Sequence, residues 1–217
     1  MTSDLTIRKG KIRGLIRSRR LKLWLGLLLL VAVLPGCQHL GYYRQAVQGQ
    51  YQIWSREKPI KELIAHPETP PALKARLSLL LKMRAYAKQE LKLPVDGHYE
   101  RYADLGRRYV VWNVNAAPEL SLEPKRWWYP FVGKLKYRGY FSEQYARDYG
   151  AKLAREHYDV YVGGVEAYST LGWFRDPVLN TWINHDESDV GEILFHELAH
   201  QRVFASGDTD FNEAYPR

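Results

Sequence analysis

The run Asp189-Val-Gly-Glu-Ile-Leu-Phe-His-Glu-Leu-Ala-His-Gln-Arg-Val-Phe204 sets Ile193, Leu194 and Leu198 among ionisable residues. That spacing predicts an amphipathic helix, with Asp189 and Glu192 forming a capping box at its start. On a helix, residues i and i+4 lie one turn apart on one face, so the imidazoles of His196 and His200 are expected to converge on one point. Glu197 stands beside the first histidine, where its carboxylate reaches a water at that point without taking a ligand position. The His-Glu-x-x-His pattern therefore predicts a zinc site with His196 and His200 as ligands and Glu197 as general base. A solvated surface helix can carry the same five residues. The apolar stripe at Ile193, Leu194 and Leu198, which buries one side and leaves the dyad at a cleft, favours the site.

A catalytic zinc site takes three protein ligands and keeps a further position open. After the loop Ala205-Ser-Gly-Asp-Thr209, the run Asp210-Phe-Asn-Glu-Ala214 predicts a second helix that returns Glu213 to the metal. Glu213 also fits the third-position acid of a capping box begun by Asp210, a role that competes with ligation. Asp208 and Asp210 are weaker candidates, and His39, His66, His98, His157 and His185 lack motif spacing.

Upstream, the pattern changes at Pro94. Before it, residues 41–54 carry Tyr43, Val47, Tyr51 and Trp54 at three- and four-residue steps, and residues 59–65 read as a short helix. Residues 72–91 have an apolar stripe through Leu73, Leu77, Leu80, Leu81 and Tyr86, so the first third is expected to be helical. Beyond Pro94, residues 108–115 and 159–163 are β-rich, residues 142–157 read as a helix, and glycine and proline punctuate the rest. The expected class is α+β, one domain with a helical N-terminal part and a small mixed sheet with helices to one side.

The charge is unevenly spread. Of 32 basic and 24 acidic residues, eight basic ones and one acid precede Cys37, so the net charge of +8 belongs to the front and the remainder is near neutral. A nucleic-acid partner, which needs a basic face on the folded domain, is not expected. The basic stretch ending at Lys22 leads into an apolar run, residues 23–34, too short for a membrane span and the size of a signal h-region. Leu34-Pro-Gly-Cys37 resembles a bacterial lipobox, with Pro35 an unusual occupant, which makes residues 1–36 a lipoprotein signal peptide and Cys37 the lipidation site. An uncleaved anchor followed by a chance cysteine is the alternative. Cys37 is the single cysteine, so no internal disulfide can form. Gln38, where aspartate would favour retention in the inner membrane, points by the same resemblance to the outer membrane.

Arg138-Gly-Tyr-Phe141, Gly163-Gly-Val-Glu-Ala-Tyr-Ser-Thr-Leu-Gly-Trp-Phe174, Asp176-Pro177, His196-Glu-Leu-Ala-His-Gln201 and Phe211-Asn-Glu213 occur in this order. Together they resemble a family of bacterial aminopeptidases, lipobox-bearing and zincin-like. The resemblance runs from Cys37 onward and implies a zincin-like domain over residues 37–217. It also implies His196, His200 and Glu213 as zinc ligands, Glu197 as base, peptide substrates, and a lipid anchor on Cys37 that leaves the domain facing the periplasm. Members of the family continue well past the Asn-Glu step, so the domain is expected to be C-terminally truncated. The alternatives are an inactive zincin-like lipoprotein with a binding or structural role, and an amidase acting on cell-wall peptides. Exopeptidase action needs a group that holds the substrate amine, for which Glu166 and Glu187 are candidates. Tyr168-Ser-Thr-Leu-Gly172 fits either a cleft-lining strand or a structural turn. The aromatic groups at 127–129 and 137–141 fit either a substrate wall or core.

Overall fold

The computed structural model describes residues 36–129, 133–170, 174–203, 205 and 208–215. The expected signal segment up to residue 35, the side chain of Cys37 and Leu171-Gly-Trp173 lie outside the described residues. The chain divides into two units, residues 1–44 and 45–217. Helix α1 (Gly36–Arg56) is longer than its periodicity predicts. In the second unit its inward stripe is Gln45, Gly49 and Ile53, whereas Val47, Tyr51 and Trp54 are exposed. The aromatic steps therefore mark the helix but not its buried face. Among the described residues no helix is long and apolar enough to cross a membrane.

The class is α+β. Strand β1 (Glu57–Pro59) leads into α2 (Ile60–Ala65), and Pro71 opens α3 (Pro71–Gln89), where a missing N–H costs nothing. Leu77 and Leu80 of α3 are wholly buried and Leu73 and Leu81 pack beside them, while Tyr86 is exposed. β2 (Arg101–Ala103) lies between β1, antiparallel, and β8 (Val178–Leu179), parallel, which makes this sheet mixed. The longest pairing joins β3 (Val111–Pro118) to β7 (Tyr158–Val165), antiparallel from Val111↔Val165 to Pro118↔Tyr158. β6 (Arg138–Tyr140) pairs along the other edge of β3, and β4 (Trp127–Tyr129) pairs with β5 (Gly133–Leu135).

The expected single sheet is thus three separate small ones. Glycine and proline cut most runs to two or three residues, too short to extend into a common sheet. Helix α4 (Glu143–Arg155), capped by Ser142 accepting from the Tyr145 N–H, packs on β7 through Gly150. A Cβ at Gly150 would lie 3.1–3.2 Å from Val162 and Val160, so the glycine sets how closely helix and strand approach.

Candidate metal centre

Helix α5 (Glu187–Arg202) lays Val190, Leu194 and Leu198 into the core, with Ile193 and Phe195 packed at its margin. It begins two residues before the expected capping box. Asp186 occupies the N-cap without a side-chain bond, and Asp189 lies inside the first turn. Glu187 and Asp189 bring two carboxylates to that turn, where the exposed N–H groups favour negative charge, so no box is needed to start the helix. With the core stripe fixed, His196 and His200 project together. Their rings lie 4.4 Å apart with planes at 87°, and their Nε2 atoms face each other at 2.9 Å.

Glu213 arrives from α6 (Thr209–Ala214), its Oε2 3.5 Å from His196 Nε2, and the donor atoms of all three residues lie within 4.8 Å of one another. Two tetrahedral zinc ligands at bond lengths of about 2.0–2.1 Å stand ~3.4 Å apart, a separation that 2.9 and 3.5 Å bracket. Two imidazoles and one carboxylate are also a donor set that catalytic zinc uses. The hydrogen bond that the His196 imidazole donates to the Glu213 carboxylate raises its pKa from the ordinary value. Burial, then the charge of His196, pushes the His200 ring below its usual range. That shift favours the neutral ring a metal ligand requires, and the buried Nδ1 of His200 has no hydrogen-bond partner among the described residues.

A six-residue helix does not hold itself in water. α6 is held by Asp208, whose Oδ1 accepts from the Phe211 N–H at 3.0 Å, and by Lys136, which pairs with Asp210 at 2.6 Å. Asn212, 4% exposed, exchanges two bonds with the Ala205 backbone, accepting at 2.8 Å and donating at 2.9 Å. Asp208, not Asp210, is thus the cap, and Glu213 falls outside the box position that competed with ligation. Asn212→Ala frees the helix from Ala205 and is expected to weaken zinc binding about 10–100-fold, as loss of outer-shell support commonly does. Competition against a metallochromic chelator measures this, and unchanged affinity would separate Glu213 from the site.

Glu197 is partly buried beside His196. Burial, reinforced by the charges of Asp176 and Glu213 and opposed by His196 and a hydrogen bond from Ser169, pushes its carboxyl up to about 7. Because the folded value exceeds the ordinary 4.5, the native chain binds this proton more tightly than the unfolded one between those pH values. Its contribution to stability is complete below about 4.5 and is lost as pH rises through about 7. At about 1.4 kcal/mol per pH unit, the loss is ~3 kcal/mol in the metal-free chain. Thermal unfolding in chelator across this range, beside Glu197→Gln, is expected to show the decline in the parent alone.

The same Ser169 hydroxyl lies 3.2 Å from Asp176 Oδ2, so its one proton serves either carboxyl, and the Thr170 N–H reaches both oxygens of Asp176 at 3.1 Å. The segment 167–170 is therefore not a strand; it is an irregular wall behind Glu197. Beyond Asp176 stands His98, whose Nδ1 accepts from the Asp176 N–H at 3.2 Å and contacts Gln201 Nε2 at 3.1 Å. An Nδ1 that accepts from a backbone N–H carries no proton, and burial lowers the pKa of this ring. The 3.8 Å approach of His98 to the Asp176 carboxylate is accordingly not an ion pair. Periodicity and motif spacing missed Ser169, Asp176, His98, Gln201 and Asn212, although all but His98 lie within the motif blocks.

The remaining candidates fall elsewhere. Glu166 pairs with His185 at 2.8 Å and approaches Arg108 at 3.9 Å. Glu187 is exposed in the first turn of α5, nine residues and about 13 Å along the axis from His196. Trp127 is buried and donates to Tyr149, Trp128 is exposed, and Tyr140 is core, so the aromatic groups are mostly packing. A family model described as "Putative aminopeptidase" matches residues 41–217. No curated protein and no solved structure matches the chain.

Proposed function

The chain belongs to the aminopeptidase family that matches residues 41–217, and from this premise we propose that it is a zinc-dependent, zincin-like aminopeptidase of the cell envelope. The observation that carries zinc is the convergence of His196, His200 and Glu213, with the Glu197 carboxyl beside them. His196 and His200 supply Nε2 and Glu213 a carboxylate oxygen. A zinc ion there supplies Lewis acidity, polarising a peptide carbonyl and lowering the pKa of water from ~15.7 toward about 7. Glu197 takes the proton of the attacking water and passes it to the leaving amine. Its raised pKa suits a group that must both accept and release a proton near neutral pH. No covalent intermediate with the chain is required.

The basic stretch, the apolar run at 23–34 and Leu34-Pro-Gly-Cys37 support export and a lipid on Cys37, with Gln38 supporting the outer membrane and a domain facing the periplasm. Matched peptides with free and acetylated amino ends test the exopeptidase reading. A site that binds the free amine is expected to cleave the acetylated peptide at least about 10²-fold more slowly. Equal cleavage would sink it and favour an endopeptidase or amidase with the same metal centre.

A further inference from the structure

Three chain segments distant in sequence, carrying residues 98–99, 169–176 and 197–201, meet behind Glu197. Ser169 stands between two carboxyls, its one hydroxyl proton shared between Asp176 Oδ2, 3.2 Å away, and the Glu197 carboxyl. Asp176, 3% exposed, uses every polar group it has: its carboxylate accepts from Ser169 and Thr170, its N–H donates to His98, and its carbonyl accepts from the Tyr99 N–H at 2.8 Å. His98 in turn contacts Gln201, which lies one turn after Glu197 on α5. The bonds therefore leave the helix at Glu197 and return to it at Gln201.

The loop bearing His98 is fixed independently. Arg84 of α3 donates to the His98 carbonyl at 2.7 Å and to the Val95 carbonyl at 2.8 Å. Tyr99 sits at φ 56, a backbone region that bulky side chains rarely occupy, and its N–H is the group bound by Asp176. Such strain persists only where surrounding contacts over-determine it, and it clusters at functional sites.

Resting on the peptidase reading, we propose that Ser169, itself anchored beside Asp176, is a positioning residue for Glu197: its hydroxyl turns to the ionised carboxylate and holds one oxygen, leaving the other to meet the water and the scissile bond. A glutamate side chain has three rotatable torsions, and a general base must meet its proton at hydrogen-bond distance. Holding one oxygen from behind removes that freedom before substrate arrives.

The test uses the full zinc-loaded chain with Ser169→Ala and Ser169→Thr, and the metal-free chain with Ser169→Ala and Glu197→Gln, singly and combined. Ser169→Ala is expected to lower kcat about tenfold with KM and bound zinc unchanged, and Ser169→Thr, which keeps the hydroxyl, to restore kcat to within about twofold. In chelator, the Tm shifts of the two single variants are expected not to add in the double variant. Parental kcat in Ser169→Ala, or no rescue by threonine, overturns the proposal. If the parent hydrolyses no peptide, the peptidase reading fails and the metal-free series alone decides the link: non-additive shifts uphold it, additive shifts overturn it.

Discussion

Replacing Glu197 with glutamine is expected to lower kcat by about 10²- to 10⁴-fold while the chain stays folded and keeps its zinc. Glutamine has nearly the same shape and still hydrogen-bonds Ser169, but it cannot take a proton from water. The loss corresponds to ~3–5 kcal/mol of transition-state stabilisation. Zinc is expected to be retained because the three residues that could hold it are His196, His200 and Glu213, and Glu197 is outside that group. KM is expected to change little, since the proton transfer belongs to the transition state and not to the bound substrate. Steady-state kinetics with metal analysis on the same preparation decides the matter. Hydrolysis at the parental rate would remove Glu197 from the base role, and loss of zinc would move it into the ligand set.

His200→Ala is expected to abolish both zinc binding and activity. His200 is buried and lends Nε2 to the site, so its removal leaves one imidazole and one exposed carboxylate, too few donors for a catalytic zinc centre. Affinity is expected to fall more than about 100-fold, beyond the range typical of outer-shell changes. The metal-free protein behaves differently. Truncation removes a buried Nδ1 that has no partner among the described residues, which relieves ~1–3 kcal/mol of desolvation and offsets the cavity left by the ring. The Tm in chelator should therefore stay near that of the parent, while the rise in Tm on adding zinc disappears. A variant that still gained stability from zinc as the parent does would show that the metal sits elsewhere.

Much of the frame is legible in local pattern. The i, i+4 spacing of His196 and His200 suffices to bring the two imidazoles together, because helix geometry alone brings residues one turn apart onto one face. Leu194 and Leu198 likewise name the side of α5 that is buried, and the β-branched runs around Val111 and Val160 locate the long antiparallel pair. Short elements were not legible. β1, β2, β4, β5, β6 and β8 have two or three residues each, less than the span over which alternation can be recognised, and they exist because a partner strand supplies the other half of each bond. Helix starts also shifted. Asp186 and Asp208 hold the N-cap positions where Asp189 and Asp210 fitted the pattern equally well, since any acidic residue near a helix start satisfies the same local chemistry.

The sequence by itself determined the His-Glu-x-x-His helix, the α+β class and the near-neutral charge balance of the body of the chain, all of which are read from residue types and local spacing. Only the tertiary structure decided that Glu213 meets the histidines, which depends on Asn212 gripping Ala205 across the intervening loop. It also decided that Ser169, Asp176 and His98 gather behind Glu197. Residues 98, 169, 176 and 197 have no shared period; their meeting follows from the packing of α5 against α3 and the loops, and packing is a property of the whole core.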